Sequence, residues 1–233
     1  MYFIVLAAMY GESSDLKWKN YINRQDVRCL FPDGNYLWIG TQDAGLVRRN
    51  CLTGEETVFD KDEGFFSDQI IALVRDSGNV VWAASPYDIA CFRNGSWVVE
   101  NLFDDNVNGM TVDSSGTVWI ACSNGVGRRS GDGFVKVNDF DSIKSADEYP
   151  NAIVSGSGAG IVYVLVRNRV VCFAVDGMYC RSIAIPFENP MSLCTDNENR
   201  LFVAGVDTVG LFENETWRFF REATARLPSV RLR

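Results

Sequence analysis

The chain contains no histidine among its 233 residues. Histidine is the side chain that proteins use most often to move protons near neutral pH and to hold transition metals. Its absence excludes histidine-based triads, zinc hydrolases and histidine-dependent lyases. An enzyme built from this chain would have to use carboxylates, tyrosine, lysine or cysteine, and we therefore expect a protein that is not an enzyme.

Basic residues are few relative to acidic ones. The chain has 22 Lys and Arg against 30 Asp and Glu, a formal net charge of −8. An acidic surface repels phosphate groups, so we expect neither a nucleic-acid partner nor binding to an anionic membrane. Basic partners and cations are compatible with this charge.

The apolar N-terminal stretch, residues 1–9, lacks the basic residue that precedes the apolar core of a secretory signal peptide. It is also too short to span a bilayer. We therefore expect no membrane insertion and no signal peptide in this chain, and we interpret residues 2–6 as a β-strand.

Seven cysteines are an odd number, so at least one thiol is unpaired within the chain, and none form a CxxC motif. Cys29 with Cys194, and Cys91 with Cys172, occupy equivalent strand positions of the repeat described next. This placement predicts small apolar core residues rather than catalytic thiols or metal ligands. We expect no metal and no cofactor.

A short pattern, an aliphatic residue followed by an aromatic one, returns five times. The aromatic residues are at positions 38, 82, 119, 163 and 202, so the steps are 44, 37, 44 and 39 residues. Each copy predicts four short strands, with a turn rich in Asp, Gly, Ser and Asn between the first two. In all copies but the first, the fourth strand carries a second aromatic residue about fifteen positions after the first one, and in the first copy a longer turn delays it to Phe59. A period near 40 with short β-rich runs is typical of the blades of a β-propeller.

The chain termini complete this pattern. Phe3 and Trp18 are again fifteen residues apart, which predicts strands over residues 2–6 and 16–21, and residues 227–233 match the first strand of a copy. We therefore predict an all-β β-propeller of six four-stranded blades, forming a single domain over residues 1–233. The last blade is closed by one C-terminal and three N-terminal strands, which removes exposed sheet edges.

The segment Leu37-Trp-Ile-Gly-Thr-Gln-Asp-Ala-Gly-Leu46 resembles the signature of the two-component regulator propeller repeats. Residues 123–126 and 207–211 are poorer copies, and residues 162–173 keep only the strand pattern. Members of that family usually form the extracytoplasmic sensory part of bacterial signalling proteins, and many recognise carbohydrates. The resemblance implies a sensor that binds a ligand or partner in the periplasm or outside the cell. The seven cysteines argue mildly against an oxidising compartment.

The predicted binding site lies where the fourth-to-first and second-to-third loops of the blades meet around the channel. Carboxylates with a flanking aromatic residue come from the fourth-to-first loops: Asp26, Asp68, Asp105, Glu148, Tyr149 and Glu188. The second-to-third loops add Gln42, Tyr87, Asn124 and Arg167. These residue types suit a small-molecule ligand such as a carbohydrate, a cation or a basic peptide. An ordinary solvated rim is the alternative interpretation.

Three other interpretations stay open. A flat face that binds another protein would make the chain an interaction scaffold. Asp68 with Asp105 or Glu148 would be the acid and base of a carboxylate glycosidase or other propeller hydrolase, whereas a streptogramin-lyase-like propeller would be expected to use a histidine. One aspartate in the first turn of four copies raises the question of calcium, although aspartate at one turn per blade is the usual chemistry of tight turns.

Overall fold

The computed structural model describes residues 26–100, 102, 106–131, 133–145, 148–156 and 160–221. Every strand in these residues belongs to one of five four-stranded antiparallel sheets, each with its strands in chain order. The predicted all-β class and the four-stranded sheets are therefore confirmed. The predicted strands at residues 2–6, 16–21 and 230–233 lie outside the described residues, so the number of six blades stays a prediction.

The chain divides into two compact units, Met1–Ile70 and Ile71–Arg233. The first unit contains sheet 1, followed by a 3₁₀ turn at Lys61–Glu63. The strands of sheet 1 are β1 (Val27–Asp33), β2 (Tyr36–Thr41), β3 (Leu46–Asn50) and β4 (Glu56–Phe59).

The second unit contains four sheets and one helix. Sheet 2 consists of β5 (Ala72–Arg75), β6 (Val81–Ala84), β7 (Ile89–Arg93) and β8 (Ser96–Glu100). Sheet 3 consists of β9 (Val107–Val112), β10 (Val118–Cys122), β11 (Gly125–Ser130) and β12 (Gly133–Lys136). Sheet 4 consists of β13 (Pro150–Ser155), β14 (Ile161–Val166), β15 (Arg169–Ala174) and β16 (Tyr179–Ala184). Sheet 5 consists of β17 (Ser192–Thr195), β18 (Leu201–Ala204), β19 (Thr208–Glu213) and β20 (Thr216–Arg221).

The helix α1 (Asn138–Ile143) lies in the connection from β12 to β13 and was not predicted from the sequence. Phe140 is fully buried in the core between sheets 3 and 4, and Ile143 packs against the same cluster. Residues three apart lie on one face of a helix, so a single turn brings both side chains onto the core. The helix therefore exists because of tertiary packing rather than local propensity.

The core of the first unit forms around Trp38. Its ring stacks on Phe59 with the centroids 6.0 Å apart, and Phe59 contacts Phe65 at the same distance. Leu46 and Ile70 are fully buried. Gly40 permits this packing, because a Cβ at this position would lie 2.8 Å from the side chain of Ile70.

In the second unit, the inner strands bury both faces. Val118 and Ile120 of β10 pack in a core with sheet 2, whereas Trp119 and Ala121 of the same strand pack in a core with sheet 4. A third core lies between sheets 4 and 5 and includes Leu165. Successive side chains of a strand point to opposite faces, so sheets stacked on both sides require apolar residues at nearly every position.

Hydrogen bonds join the first strands of neighbouring sheets. Ser155 of β13 donates its backbone N–H to Thr111 Oγ1 of β9 (3.1 Å) and accepts from Thr195 Oγ1 of β17 (2.8 Å) through its carbonyl oxygen. The strand that begins each of sheets 3, 4 and 5 is therefore tied to the next one by polar contacts as well as by packing.

An aspartate in the first turn acts as a turn residue in sheets 2, 3 and 5. Asp113 Oδ1 accepts backbone N–H bonds from Ser115 (2.8 Å) and Thr117 (3.0 Å), and its Oδ2 accepts from Trp119 Nε1 (2.6 Å). Asp76 makes the same contacts with its own turn and with Trp82 Nε1 (2.8 Å). The described residues contain no group of three potential metal ligands. The hydrogen bonds confirm the turn interpretation for Asp76, Asp113 and Asp196.

No helix in the described part of the chain is long and apolar enough to cross a membrane.

We expect Asp113→Ala to lower the free energy of unfolding by about 2–4 kcal/mol, because it leaves the buried indole N–H of Trp119 without an acceptor. The control is Asp176→Ala, since the Asp176 carboxylate accepts a backbone bond from Met178 in an exposed turn (2.9 Å). Its loss should cost about 1 kcal/mol or less. Urea denaturation measures both, and equal losses would contradict the role given to the Asp113–Trp119 bond.

Candidate functional site

Each four-stranded sheet has two different ends. The turns between its first and second strands and between its third and fourth strands lie at one end, which we call the turn end. The turn between the second and third strands, with the connections to other sheets, lies at the opposite end, the loop end. All the predicted site residues that the structure describes are at the loop end of their own sheets. Asp105 lies outside the described residues.

In the first unit, the predicted residues connect loops to one another. The backbone carbonyl of Asp26 accepts from Gln42 N (2.8 Å), and Gln42 Oε1 accepts from Gln69 Nε2 (3.4 Å). Asp68 Oδ1 accepts the backbone N–H of Lys61 (2.9 Å). Asp68 and Gln42 therefore have structural contacts, and their part in ligand binding stays a prediction.

In the second unit, two tyrosines are exposed at the loop end. Tyr87, in the turn between β6 and β7, is 64% exposed, and Tyr149, just before β13, is 54% exposed. Both belong to loops that contact the start of β9. The carbonyl of Pro86 accepts from Val107 N, and the carbonyl of Pro150 accepts from Asn108 Nδ2, both at 2.7 Å. The backbones beside the two phenol rings are thus anchored to adjacent residues of one strand.

Glu148 is not a free carboxylate of the rim. Its Oε1 accepts from Arg169 Nε (3.2 Å) and its Oε2 from Arg169 Nη2 (2.6 Å), a two-point ion pair. Oε2 also accepts the backbone N–H of Ser145 (2.9 Å), and Arg169 donates to the carbonyl of Ile143 (2.8 Å). Both carboxylate oxygens are therefore engaged in holding the segment between α1 and β13. These contacts give Glu148 a structural role, and its part in ligand binding or in proton transfer stays a prediction.

The remaining predicted residues are exposed at the loop end. Asn124 accepts a bond from Lys144 Nζ through its backbone carbonyl (3.1 Å). Arg167 begins the turn between β14 and β15 with φ = 49°, a conformation that favours glycine. Glu188 lies in the connection from β16 to β17. The structure holds these side chains on separate loops, and the predicted ring of carboxylates around one mouth stays a prediction.

None of the seven cysteines, all of which the structure describes, forms a disulfide bond. Cys91 and Cys172 are buried, as predicted, whereas Cys194 is exposed, so the core prediction is wrong there. Burial raises the pKa of Cys91 to about 11 and that of Cys172 to about 11. Thiols that stay protonated near neutral pH are poor nucleophiles and poor metal ligands.

The sequence reasoning missed a cavity at the turn end of sheets 4 and 5. The cavity has a volume of about 240 Å³ and is lined by residues of both sheets, including Tyr163, Arg181 and Phe212. One signal in the sequence marks this place, because Tyr163 stands where the first three copies have tryptophan.

The five sheets place the chain in the class of all-β, propeller-like repeat folds, with aromatic residues exposed on its loops. No protein-family model matches the chain, and no curated protein matches it. The similarities found for this chain are therefore similarities to solved structures.

Solved structures share this fold. Virginiamycin B lyase from Staphylococcus aureus superposes with a TM-score of 0.72 at 16% identity, over 86% of this chain and 71% of that one. The extracellular domain named for the hybrid two-component system BT3049 of B. thetaiotaomicron gives 0.69 at 16% identity, over 82% of this chain and 28% of that one. The corresponding domain of BT4673 gives 0.67 at 13% identity, over 84% and 27%. The chain thus spans little more than a quarter of either sensor chain, and identities this low show the fold alone.

We expect iodoacetamide at pH 8 to label Cys51 and Cys180, which are exposed, and to spare Cys91 and Cys172 in the folded protein. A thiol with a pKa of about 11 is roughly 0.1% thiolate at that pH. Peptide mass mapping with and without urea measures the pattern. Rapid labelling of Cys91 before unfolding would contradict the burial described here.

The pKa of Cys91 in the folded protein exceeds the ordinary value of 9.0. The contribution of this thiol to stability is therefore complete below pH 9 and is lost as the pH rises to about 11.

Proposed function

We propose that the chain is a non-catalytic, sensor-like propeller domain that binds a ligand at the loop end of its sheets. The observation that carries this proposal is the exposure of Tyr87 and Tyr149 on two loops anchored to adjacent residues of β9. Exposed aromatic rings on a rigid frame are a typical feature of binding surfaces. The propeller-like fold that the chain shares with extracellular domains of two-component systems supports a sensory role.

The ligand we propose is a neutral carbohydrate. A phenol ring offers an apolar face to the C–H groups of a sugar and a hydroxyl for hydrogen bonding, and it loses little side-chain entropy on binding. Asn124 and Glu188, exposed at the same end of their sheets, would supply polar contacts to sugar hydroxyls. We place the domain outside the cytoplasm, as in the extracellular domains that share its fold.

The commitment of Glu148 to Arg169 favours binding over hydrolysis. A glycosidase needs one protonated and one ionised carboxyl group facing the scissile bond. Both oxygens of Glu148 accept from Arg169, and Oε2 also accepts the backbone N–H of Ser145, so these contacts compete with a hydrogen bond to a leaving group. Binding without turnover is therefore the function that the described loop end supports best.

We expect Tyr87→Ala and Tyr149→Ala each to weaken binding of a glycan by roughly tenfold, equivalent to about 1.4 kcal/mol. The glycan is first found by a thermal-shift screen of oligosaccharides, divalent cations and basic peptides, because ligands stabilise the native state by mass action. Calorimetry then measures the affinity. Tyr36→Ala is the matched control, since Tyr36 is 39% exposed at the turn end of sheet 1 and should be silent.

Two results would overturn the proposal. A screen in which the tyrosine variants bind as tightly as the wild type would remove the loop-end site. Release of shorter sugars from the bound glycan would show an enzyme instead. A screen that is silent throughout would favour the interaction scaffold, for which the exposed Val98 and Val99 of β8 offer an apolar edge.

We also propose that the fold closes with a sixth blade. The face of sheet 5 turned away from sheet 4 includes Ala204, Val209 and Phe220, which are paired across β18, β19 and β20. Val209 is 38% and Phe220 51% exposed, so part of this apolar face is open to solvent. Residues 2–6, 16–21 and 230–233, which lie outside the described residues, have the strand pattern needed to cover it.

Replacing both Val230 and Leu232 by serine should lower the melting temperature by several degrees, because these alternating apolar residues would lie on one face of the closing strand. The double variant Arg231→Ser with Arg233→Ser alters the other face and should have little effect. Differential scanning calorimetry compares the two. Equal melting temperatures for the two double variants and the wild type would contradict closure.

A further inference from the structure

The cavity between sheets 4 and 5 lies beside Tyr163, at the position where the first three copies of the repeat have tryptophan. In sheets 1, 2 and 3 a buried tryptophan at this position donates its indole N–H to an aspartate of the first turn. Sheet 4 has Tyr163 instead, and the residue six positions before it is Ser157 rather than aspartate. A phenol is smaller than an indole, and the space of about 240 Å³ lies beside it.

The lining of the cavity combines aromatic side chains with two arginines and three glutamates. Tyr163 and Arg181 line it from sheet 4, and Phe212 lines it from sheet 5. The guanidinium carbon of Arg181 lies 5.7 Å from the centroid of the Phe212 ring, so the cation is held against an aromatic wall. A volume of about 240 Å³ equals the space of roughly eight water molecules. An occupant would therefore be no larger than a single ring with one substituent.

Arg181 is paired with a side chain that a ligand can replace. Its guanidinium donates to Glu215, and the two side chains are 44% and 72% exposed. Exposed ion pairs of this kind contribute little to stability and exchange readily with solvent ions. Arg200, the second arginine of the lining, is held by Asp196 and Glu198 of its own turn. Arg181 is therefore the cation that is open to exchange among the described lining residues.

The backbone of Glu215 is unusual for a glutamate. Asn214 and Glu215 have φ values of 49° and 59°, as in a hairpin turn whose second position is usually glycine. The equivalent turn of sheet 2 is Asn94-Gly95, with φ values of 51° and 83°. A disfavoured residue thus occupies the one turn position that delivers a carboxylate to Arg181.

Three other acidic groups lie near Arg181 or line the cavity. The thiol of Cys172 contacts Arg181, and burial raises its pKa to about 11, so it carries no charge near neutral pH. Glu198 and Glu213 also line the cavity, and Glu198 is paired with Arg200 (3.2 Å) rather than with Arg181.

We propose that this cavity binds a small aromatic carboxylate, whose carboxylate takes the place of Glu215 on Arg181 while its ring packs against Tyr163 and Phe212. A planar guanidinium binds a carboxylate through two parallel hydrogen bonds, which a rigid ligand forms at lower entropic cost than a flexible glutamate. Glu215 is then an internal occupant that closes the cavity when the ligand is absent.

Isothermal titration with sodium benzoate tests the proposal, with benzylamine as the probe of opposite charge. We expect saturable binding of benzoate and none of benzylamine. Glu215→Gln should bind benzoate roughly threefold more tightly, because the internal competitor loses its charge. Arg181→Met should bind it at least tenfold more weakly, whereas Arg218→Met, on the opposite face of sheet 5, should bind as the wild type does.

Tyr163→Trp provides a second test that does not depend on removing a charge. It restores the aromatic residue of the other repeats, so it should fill the cavity and abolish benzoate binding while leaving Arg181 in place. Equal benzoate affinity in wild type, Arg181→Met and Tyr163→Trp would overturn the proposal, as would binding of benzylamine in preference to benzoate. These outcomes are independent of carbohydrate binding at the loop end, because the cavity lies at the turn end.

Discussion

In three of the five described sheets, the indole N–H of a buried tryptophan donates a hydrogen bond to an aspartate in the turn that precedes it. This contact joins the first turn of the sheet to the core residue of its second strand. In sheets 2 and 3 the same carboxylate also accepts backbone N–H groups of its turn, so one side chain both fixes the hairpin of the first two strands and positions the largest core residue. A buried indole without an acceptor would be costly, so the aspartate and the tryptophan are needed as a pair.

Where the pair is absent, the structure changes in two ways. Sheet 5 keeps Asp196, but its Oδ2 accepts from Arg200 Nε (2.6 Å), since Phe202 has no N–H to donate. Sheet 4 has neither partner, and the cavity lies next to its Tyr163. Departures from a repeat that is locally consistent elsewhere are the places where function is expected. In this chain the departure leaves a space with aromatic walls and an exchangeable arginine.

The two ends of the sheets have different chemistry. The loop end carries exposed tyrosines on anchored loops, together with polar residues that are largely committed to holding those loops in place. The turn end is closed by short hairpins, and its chemistry depends on which residue fills each hairpin. Long connections can present side chains without disturbing the core, whereas a tight turn changes function only when one of its own residues changes.

The sequence by itself determined the all-β class, the four strands of each sheet and the turn role of the aspartates. These follow from periods of two and about forty residues and from local turn chemistry, which act between neighbours along the chain. The sequence also placed the candidate residues at the loop end, because strand order decides which turns share an end. Only the tertiary structure decided that Glu148 is held by Arg169, that Phe140 draws a helix onto the core, and that Arg181 meets Glu215 beside a cavity. Each of these pairs a side chain with a partner that no repeat period specifies, so its contacts were decided only when the sheets packed together.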